Sequence, residues 1–114
     1  SLIVVASHCV MCGFGVVMLL VIAAKPLFLL GEVIITSGAN ALMRDGKLDA
    51  NQLINRHISG DWGDMCEDDI ESNNDAVTHG DRIMSSYLTS SSQKVWIITE
   101  YDRSVTTILL PDEY

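Results

Sequence analysis

The last third of the chain predicts a hairpin whose two faces are both apolar, which constrains the fold more than any other feature. A two-residue loop at 102–103 places Ile97 opposite Ile108 on one face and Trp96 beside Leu109 on the other. An antiparallel sheet with one face in water alternates apolar and polar residues more cleanly. The sheet therefore needs two covers. Helices supply one, and the N-terminal segment or a second copy of the chain supplies the other.

The rest of the body predicts a further strand and three helices. Glu32–Thr36 reads as a strand, and the stretch Thr36-Ser37-Gly38 reads as the N-cap of a first helix that Gly46 ends. Asp49 opens a second helix, whose apolar residues recur at i and i+4 on one face. A third helix runs over 66–80 with acids crowded into its first turn, where the helix dipole favours them.

The N-terminus is free of charge over residues 2–24, which contain no Asp, Glu, Lys or Arg. As a helix these residues would reach about 35 Å, enough to cross a bilayer core, although Gly13 and Gly15 would interrupt that helix. Three interpretations stay open. The segment is a buried or intersubunit element of a soluble protein, a membrane-like or signal-like segment, or a non-native leader.

These patterns together define the expected architecture and its boundaries. We expect an α+β fold in which a three- to four-stranded antiparallel sheet packs with two to three helices. A single domain covers residues 25–114, after the apolar segment 1–24; a length of 114 residues suits one domain. We expect a cytoplasmic protein, with membrane anchoring through residues 2–24 as the alternative.

The charge balance limits the partners of the chain. It has 15 acidic and 7 basic residues, for a net charge of −8. Lys and Arg supply the energy of binding to phosphates, so we expect no direct nucleic-acid binding. A basic protein partner fits this charge, as does imitation of the negative surface of DNA. An acidic surface that only aids solubility fits it too.

The stretch HISGDWGDM holds the candidate catalytic residues His57, Asp61 and Asp64. A His–Asp pair can activate a water or a hydroxyl for hydrolysis. The same residues also make a turn in which Trp62 plugs the core and glycines permit the bend. No GxSxG, GxGxxG, Walker or HExxH motif accompanies them, so the residues favour a non-catalytic role.

No cofactor or metal is expected from the sequence. Carboxylates in and after this turn could offer oxygen ligands to Ca²⁺ or Mg²⁺, but the EF-hand order is absent. These carboxylates belong to Asp61, Asp64, Glu67 and Asp68.

Four residues are candidates for binding a partner. Trp62 offers an aromatic surface beside the turn, and Glu100, Asp102 and Arg103 form a charged cluster at the predicted hairpin tip. Of these uses of the cluster, we expect a surface salt bridge between its side chains.

Three blocks, RHISGDWGDM, NDAVTHGDRIMSSY and KVWIITEYDRSVTTILLPDEY, resemble a family of small bacterial proteins carried on plasmids, integrative elements and integron gene cassettes. Some members are labelled plasmid-related proteins or type I restriction endonuclease subunit M. The resemblance covers about Leu27–Tyr114, and its pattern falls on the following positions: His57, Ser59–Asp64, Thr99–Thr107 and Leu109–Pro111.

The resemblance implies no established activity. A methylase subunit needs a Rossmann domain and an Asn-Pro-Pro-Tyr-like motif, and this sequence has neither. We therefore expect a small binding or accessory protein of a mobile genetic element that acts as a homo-oligomer or with a protein partner. One alternative is an acidic anti-restriction protein that mimics DNA. The other is a small hydrolase-like enzyme that uses His57 and Asp61.

Overall fold

The computed structural model describes residues 26–114 and the backbone of residues 2–5. The expected α+β class is confirmed, with three helices packed on a sheet. The expectations for the remainder of segment 1–24 lie outside the described residues. The elements in chain order are β1 (Leu2–Val5), β2 (Glu32–Thr36), α1 (Ser37–Arg44), α2 (Ala50–Ile58), α3 (Glu67–His79), β3 (Ile83–Leu88), β4 (Lys94–Thr99), β5 (Val105–Leu109) and a 3-10 turn (Pro111–Glu113).

The sheet is mixed rather than antiparallel throughout. Its strand order is β1-β2-β5-β4-β3. The β4–β5 and β3–β4 pairs are antiparallel, but β2 runs parallel to β5, with Val33 opposite Thr106. Three helices and a hairpin separate β2 from β5, and a connection of that length can return the chain in either direction. The hydrophobic pattern of a single strand carries no information about the direction of its neighbour.

The register expected for the final hairpin is confirmed. Ile97 lies opposite Ile108 and Trp96 opposite Leu109. The loop is longer than the predicted two residues, because the last paired backbone groups are the Glu100 N–H and the Val105 carbonyl. Arg103 adopts a positive φ of 59°, which turns the chain without the glycine that a two-residue hairpin loop prefers.

One face of the sheet packs against α1 and α2 and forms the main core. The residues of α2 that recur at i and i+4, Leu53 with His57 and Ile54 with Ile58, are buried as predicted, because residues with that spacing form one stripe of a helix. The cluster joins residues of both helices with inward-facing residues of four strands. They are Val33, Ile35, Ala39, Leu48, Ala50, Leu53, Ile54, Tyr87, Val95, Ile97 and Ile108.

The predicted helix boundaries are confirmed at N-terminal caps and at a C-terminal cap. The Thr36 side chain accepts a hydrogen bond from Ala39 N–H, and Asp49 accepts one from Gln52 N–H. Gly80 ends α3 in the left-handed conformation that only glycine adopts without strain. The Thr36 and Asp49 side chains satisfy N–H groups that the first helical turns leave free, and the Gly80 N–H donates to the Ala76 carbonyl in the last turn of α3.

The C-terminal turn ties the end of the chain to the start of α1. The Glu113 carboxylate accepts hydrogen bonds from the Thr36 hydroxyl and from the N–H groups of Gly38 and Leu110. Burial raises the pKa of Glu113, but these hydrogen bonds outweigh burial and hold the pKa below its usual value. A carboxylate at this end of a helix also meets the positive end of the helix dipole.

The outer edge of β3 is covered by α3 and by the turn before it. The Asn73 amide donates to the Met84 carbonyl and accepts from Met84 N–H. Ser86 N–H donates to the Trp62 carbonyl, and its own carbonyl accepts from Asp64 N–H. The strand edge therefore has hydrogen-bond partners where it would otherwise offer a template for pairing with another chain.

The second face of the sheet carries the other apolar half of the hairpin. Ile98 and Leu109 are buried there, although neither belongs to the clusters that form with the helices. Tyr114 crosses this face, with its ring 5.8 Å from that of Trp96 and its hydroxyl 2.7 Å from an Arg82 nitrogen.

Among the described residues, no helix is long and apolar enough to cross a membrane.

Gly63 and Gly46 provide a matched test of the close approach between the turn before α3 and strand β3. Both have positive φ, but a Cβ on Gly63 would lie 2.1 Å from the Ser86 carbonyl oxygen, whereas one on Gly46 meets nothing within 4 Å. We expect Gly46→Ala to lower the free energy of unfolding by about 1 kcal/mol and Gly63→Ala by about 3 kcal/mol or more. Urea denaturation measures both, and equal losses would contradict the close approach.

Candidate functional site

The imidazole of His57 lies in the interior, where α2 faces the sheet. The residue has no exposed surface. Its Nδ1 lies 2.5 Å from Ser85 Oγ on β3, and its Nε2 lies 2.9 Å from Thr99 Oγ1 on β4. Thr99 Oγ1 in turn lies 2.8 Å from Thr106 Oγ1 on β5. These four polar side chains form a continuous buried chain across three strands.

The far end of this chain fixes the direction of every hydrogen bond in it. Thr106 Oγ1 donates to the Leu30 carbonyl, which can only accept. Thr106 must therefore accept from Thr99, and Thr99 must accept from Nε2–H of His57. The neutral ring then carries its proton on Nε2, and Nδ1 accepts from the Ser85 hydroxyl. Every member of the chain has a partner, so the arrangement stabilises a neutral imidazole.

The pKa of His57 follows from this environment. Burial disfavours the charged ring and, with a smaller contribution from the positive charge of Arg103, lowers the pKa from 6.5 to about 3. His57 therefore stays neutral at physiological pH. A general base must reach the proton that it abstracts, and this imidazole is enclosed with both nitrogens occupied.

Aromatic rings enclose His57 on the sides that the hydroxyls leave open. The ring centroids of Phe28 and Trp62 lie 5.2 Å and 5.9 Å from that of His57, both in edge-to-face geometry. Trp62 is buried, and its indole N–H donates to the Asn74 side chain. Trp62 is thus a core residue, as the turn interpretation predicts, and offers little surface to a partner.

Asp61 points away from His57 and pairs with Arg56. The Arg56 guanidinium donates to both carboxylate oxygens of Asp61, at 2.7 Å and 3.3 Å, and Gly63 N–H donates to one of them. These hydrogen bonds, that from Arg56 above all, hold the pKa of Asp61 below its usual value. The carboxylate shapes the turn.

Asp64 lies beside a different cation. Its carboxylate is 3.9 Å from Lys94 Nζ, and both side chains are exposed. Because the ring nitrogens of His57 bind Ser85 and Thr99, neither predicted carboxylate forms a dyad with it. His57 lies on α2, and Asp61 and Asp64 lie in the turn that follows it, so the three candidates do not form one reactive group.

The hairpin-tip candidates are held by the fold in different ways. Arg103 lies against Phe28 and donates to the carbonyls of Ala76 and Asp81 at the end of α3, which ties the hairpin to that helix. Asp102 accepts from the hydroxyl and N–H of Ser104, and these bonds lower its pKa. Glu100 is half-buried in the sheet. The expected salt bridge between side chains of this tip does not form among these three residues.

The outer surface of α3 carries a group of exposed acids. Asn73 and Ala76 are buried, and Ile70 and Val77 pack beside them, so this side of the helix faces the core. At about 100° per residue, four acids fall within an arc of about 100° directly opposite. They are Glu67, Asp68, Glu71 and Asp75, and all four are exposed.

No cation within residues 26–114 forms an ion pair with this surface. The two ion pairs found there are Arg56–Asp61 and Lys94–Asp64, and α3 itself contains no Lys or Arg. In the same part of the chain, no group of three or more His, Cys, Asp or Glu side chains could hold a metal ion. These four acids therefore form a negative stripe that no cation of residues 26–114 pairs with.

Ser85 is the buried partner that sequence reasoning missed. The register that aligns Ile97 with Ile108 also aligns Thr99 with Thr106, but the two threonine side chains are polar members of the His57 network rather than parts of an apolar face. The alternation of Ile83, Ser85 and Tyr87 does place Ser85 inward, since residues at i and i+2 share a face of a strand. A buried histidine needs such partners, and this alternation was the available signal.

Comparisons with protein-family models, with curated proteins and with solved structures find no match for the chain.

The pH dependence of stability tests the burial of His57. Since the pKa of His57 is about 3 in the folded chain and 6.5 when unfolded, the unfolded chain takes up a proton below pH 6.5 that the folded chain does not. Stability is therefore complete above pH 6.5 and falls below it. From pH 7.5 to 5.0 we expect a loss of about 2 kcal/mol, measured by urea denaturation.

His79 is the control for this measurement, because it is exposed at the end of α3. The fall in stability between pH 7.5 and 5.0 should persist in His79→Gln, because that variant keeps the buried His57. A flat profile for the unsubstituted chain would show that His57 titrates normally.

The hydrogen bond between Thr99 and His57 has a matched control on the other face. Thr99→Val keeps the shape of the side chain but leaves Nε2–H of His57 without an acceptor, and should cost about 1–3 kcal/mol in free energy of unfolding. Thr107→Val changes a half-buried residue on the second face and should cost less than about 0.5 kcal/mol. Equal losses of stability for the two variants in thermal or urea denaturation would argue against the buried hydrogen bond between His57 and Thr99.

Proposed function

We propose that the chain acts by binding, as a cytoplasmic accessory protein of a mobile genetic element that docks a basic protein partner on the acidic stripe of α3. The observation that carries this proposal is the exposed arc of Glu67, Asp68, Glu71 and Asp75, with no described cation paired to it. Complementary charge on two surfaces speeds their encounter and selects between partners.

The rest of the described surface supports this choice of site. Of the candidate binding residues, Trp62 is buried, and the guanidinium of Arg103 is occupied by backbone carbonyls. α3 is the longest described helix, with 13 residues, and its inner side is fixed to β3 by Asn73. A rigid helix held in this way presents its charges in a constant arrangement.

The hydrolase alternative has less support in this geometry. Its proposed base, His57, has no exposed surface, and both ring nitrogens bind hydroxyl groups. Its proposed partner, Asp61, pairs with Arg56 instead. Association of the chain into a homo-oligomer stays a prediction, which sedimentation velocity of the full chain measures.

Two variants with the same change in net charge test the docking surface. Asp68→Asn, Glu71→Gln and Asp75→Asn together remove three charges from the stripe. Asp45→Asn, Glu100→Gln and Asp112→Asn remove three charges elsewhere. The unsubstituted chain and the two variants serve as immobilised baits in a bacterial extract. Each captured protein is identified and purified, and its affinity for each of the three baits is then measured by titration.

We expect the unsubstituted chain and the dispersed variant to bind the same basic protein, and the α3 variant to bind it at least about tenfold more weakly. Binding should also be lost at about 0.5 M salt, because the screening length falls to a few ångströms. Equal affinity of the two variants, or no capture by any bait, would overturn the proposal.

The second candidate, imitation of DNA, rests on the spacing of the same charges. The stripe runs from residue 67 to residue 75, about 12 Å of helix, so its four carboxylates have a mean spacing of about 4 Å along the axis, in steps of about 1.5, 4.5 and 6 Å. Phosphates recur every 3.4 Å along the axis for one DNA strand. If this candidate is right, duplex DNA displaces the captured partner, and a purified type I restriction complex binds the chain. If duplex DNA does not compete, the partner binds the stripe through a surface other than its DNA-binding site, and this candidate is wrong.

A further inference from the structure

A cavity of about 190 Å³ lies where the loop between α1 and α2 meets the end of β3. Leu48 and Leu53 line it, and both are buried members of the main core. Leu88, the last residue of β3, is a further apolar lining residue, yet it is 56% exposed. The cavity therefore has an apolar floor and leaves one large apolar side chain in contact with water.

The polar residues around this floor are rich in hydrogen-bond donors. Lys47 carries an ammonium group, Gln52 a side-chain amide and Ser90 a hydroxyl. Neither of the two ion pairs within residues 26–114 involves Lys47. In that part of the chain, none of these three side chains has a hydrogen-bond partner either, so their donors are available to a ligand.

Asp49 is the one carboxylate among the lining residues, and the fold already uses it. Its Oδ1 accepts a hydrogen bond from Gln52 N–H, as the cap of α2. The first turn of α2 also brings the positive end of its helix dipole to this place. An anion in the cavity therefore meets donors and an ammonium group, whereas a cation would compete with a helix cap for the carboxylate of Asp49.

The volume of the cavity limits the size of its ligand. Drug-sized ligands occupy pockets of about 300–1,000 Å³, whereas an apolar cavity of about 150 Å³ holds one benzene ring. A cavity of about 190 Å³ accommodates one six-membered ring, or an aliphatic group of that size, together with one small polar group.

We propose that this cavity binds a small monocarboxylate whose apolar body has about six carbon atoms. The apolar body packs on Leu48, Leu53 and Leu88, which removes apolar surface from water. The carboxylate accepts hydrogen bonds from Lys47 and Ser90, and the bond from the ammonium group is charge-assisted. None of the lining residues belongs to α3, so this site is separate from the acidic stripe.

Titration of the ¹⁵N-labelled full chain with benzoate, followed by NMR at constant ionic strength in neutral buffer, tests this proposal. We expect saturable shifts of the amide signals around the cavity, and a Kd of about 1 mM for a ligand of about nine non-hydrogen atoms. Benzamide has nearly the same shape but no charge, and it should bind at least about fivefold more weakly.

Two variants with the same change in net charge isolate the contribution of Lys47. Lys47→Gln removes the ammonium group of the lining, whereas Arg44→Gln removes an exposed cation at the end of α1 that does not line the cavity. We expect Lys47→Gln to weaken benzoate binding at least about fivefold and Arg44→Gln to change it by less than about twofold.

A third variant fills the cavity. Ser90 is exposed, so Ser90→Trp adds a ring at the lining without entering the core, and it should abolish saturable binding of benzoate. The dispersion of its amide spectrum shows whether the variant is folded, and Gln52→Trp, also at an exposed lining position, replaces it if it is not.

Four outcomes would overturn the proposal. The first is the absence of saturable shifts with benzoate up to about 20 mM, or shifts scattered over the whole surface. The second is equal affinity of Lys47→Gln and Arg44→Gln for benzoate, and the third is equal affinity of the unsubstituted chain for benzoate and benzamide. The fourth is tighter binding of benzylamine than of benzoate, which would show that Asp49 makes the cavity a site for cations.

Discussion

The hydrogen-bonded chain from Ser85 through His57, Thr99 and Thr106 to the Leu30 carbonyl is the interaction on which the described structure most depends. It joins α2 to three strands and to the segment before β2. Each group has one direction in which it can donate, so the whole network is satisfied in only one arrangement of these elements. An apolar core tolerates small shifts in register, whereas this network would leave buried polar groups unpaired after a slip of one residue.

The same network explains why a motif that looks catalytic has a structural role. A histidine with a serine on one nitrogen and a threonine on the other resembles the orientation of a catalytic base. The difference is solvent: His57 is wholly enclosed, and its low pKa follows from that enclosure. The acids near it in sequence, Asp61 and Asp64, are exposed and pair with Arg56 and Lys94. Polar groups that serve the interior and polar groups that face water are thus separated within a few residues.

The sequence predicted local structure well and the relations between distant parts less well. The cap at Thr36, the end of α3 at Gly80 and the register of Ile97 with Ile108 followed from residue types and spacing. The parallel pairing of β2 with β5 did not, because two strands of either direction have the same apolar pattern. For the candidate site, the burial of Trp62 was predicted, but Ser85 was missed since its contact with His57 spans 28 positions.

The bond between Glu113 and Thr36 joins residues 77 positions apart, and β2 pairs beside a strand that ends at Leu109. Contacts this distant in sequence require closure of most of the chain before they contribute stability, which slows folding. During synthesis, β2 and the cap of α1 remain without their partners until β5 and Glu113 have left the ribosome. The edge of β2 that later pairs with β5 is available to other chains in that interval, and the protein is then most vulnerable to aggregation.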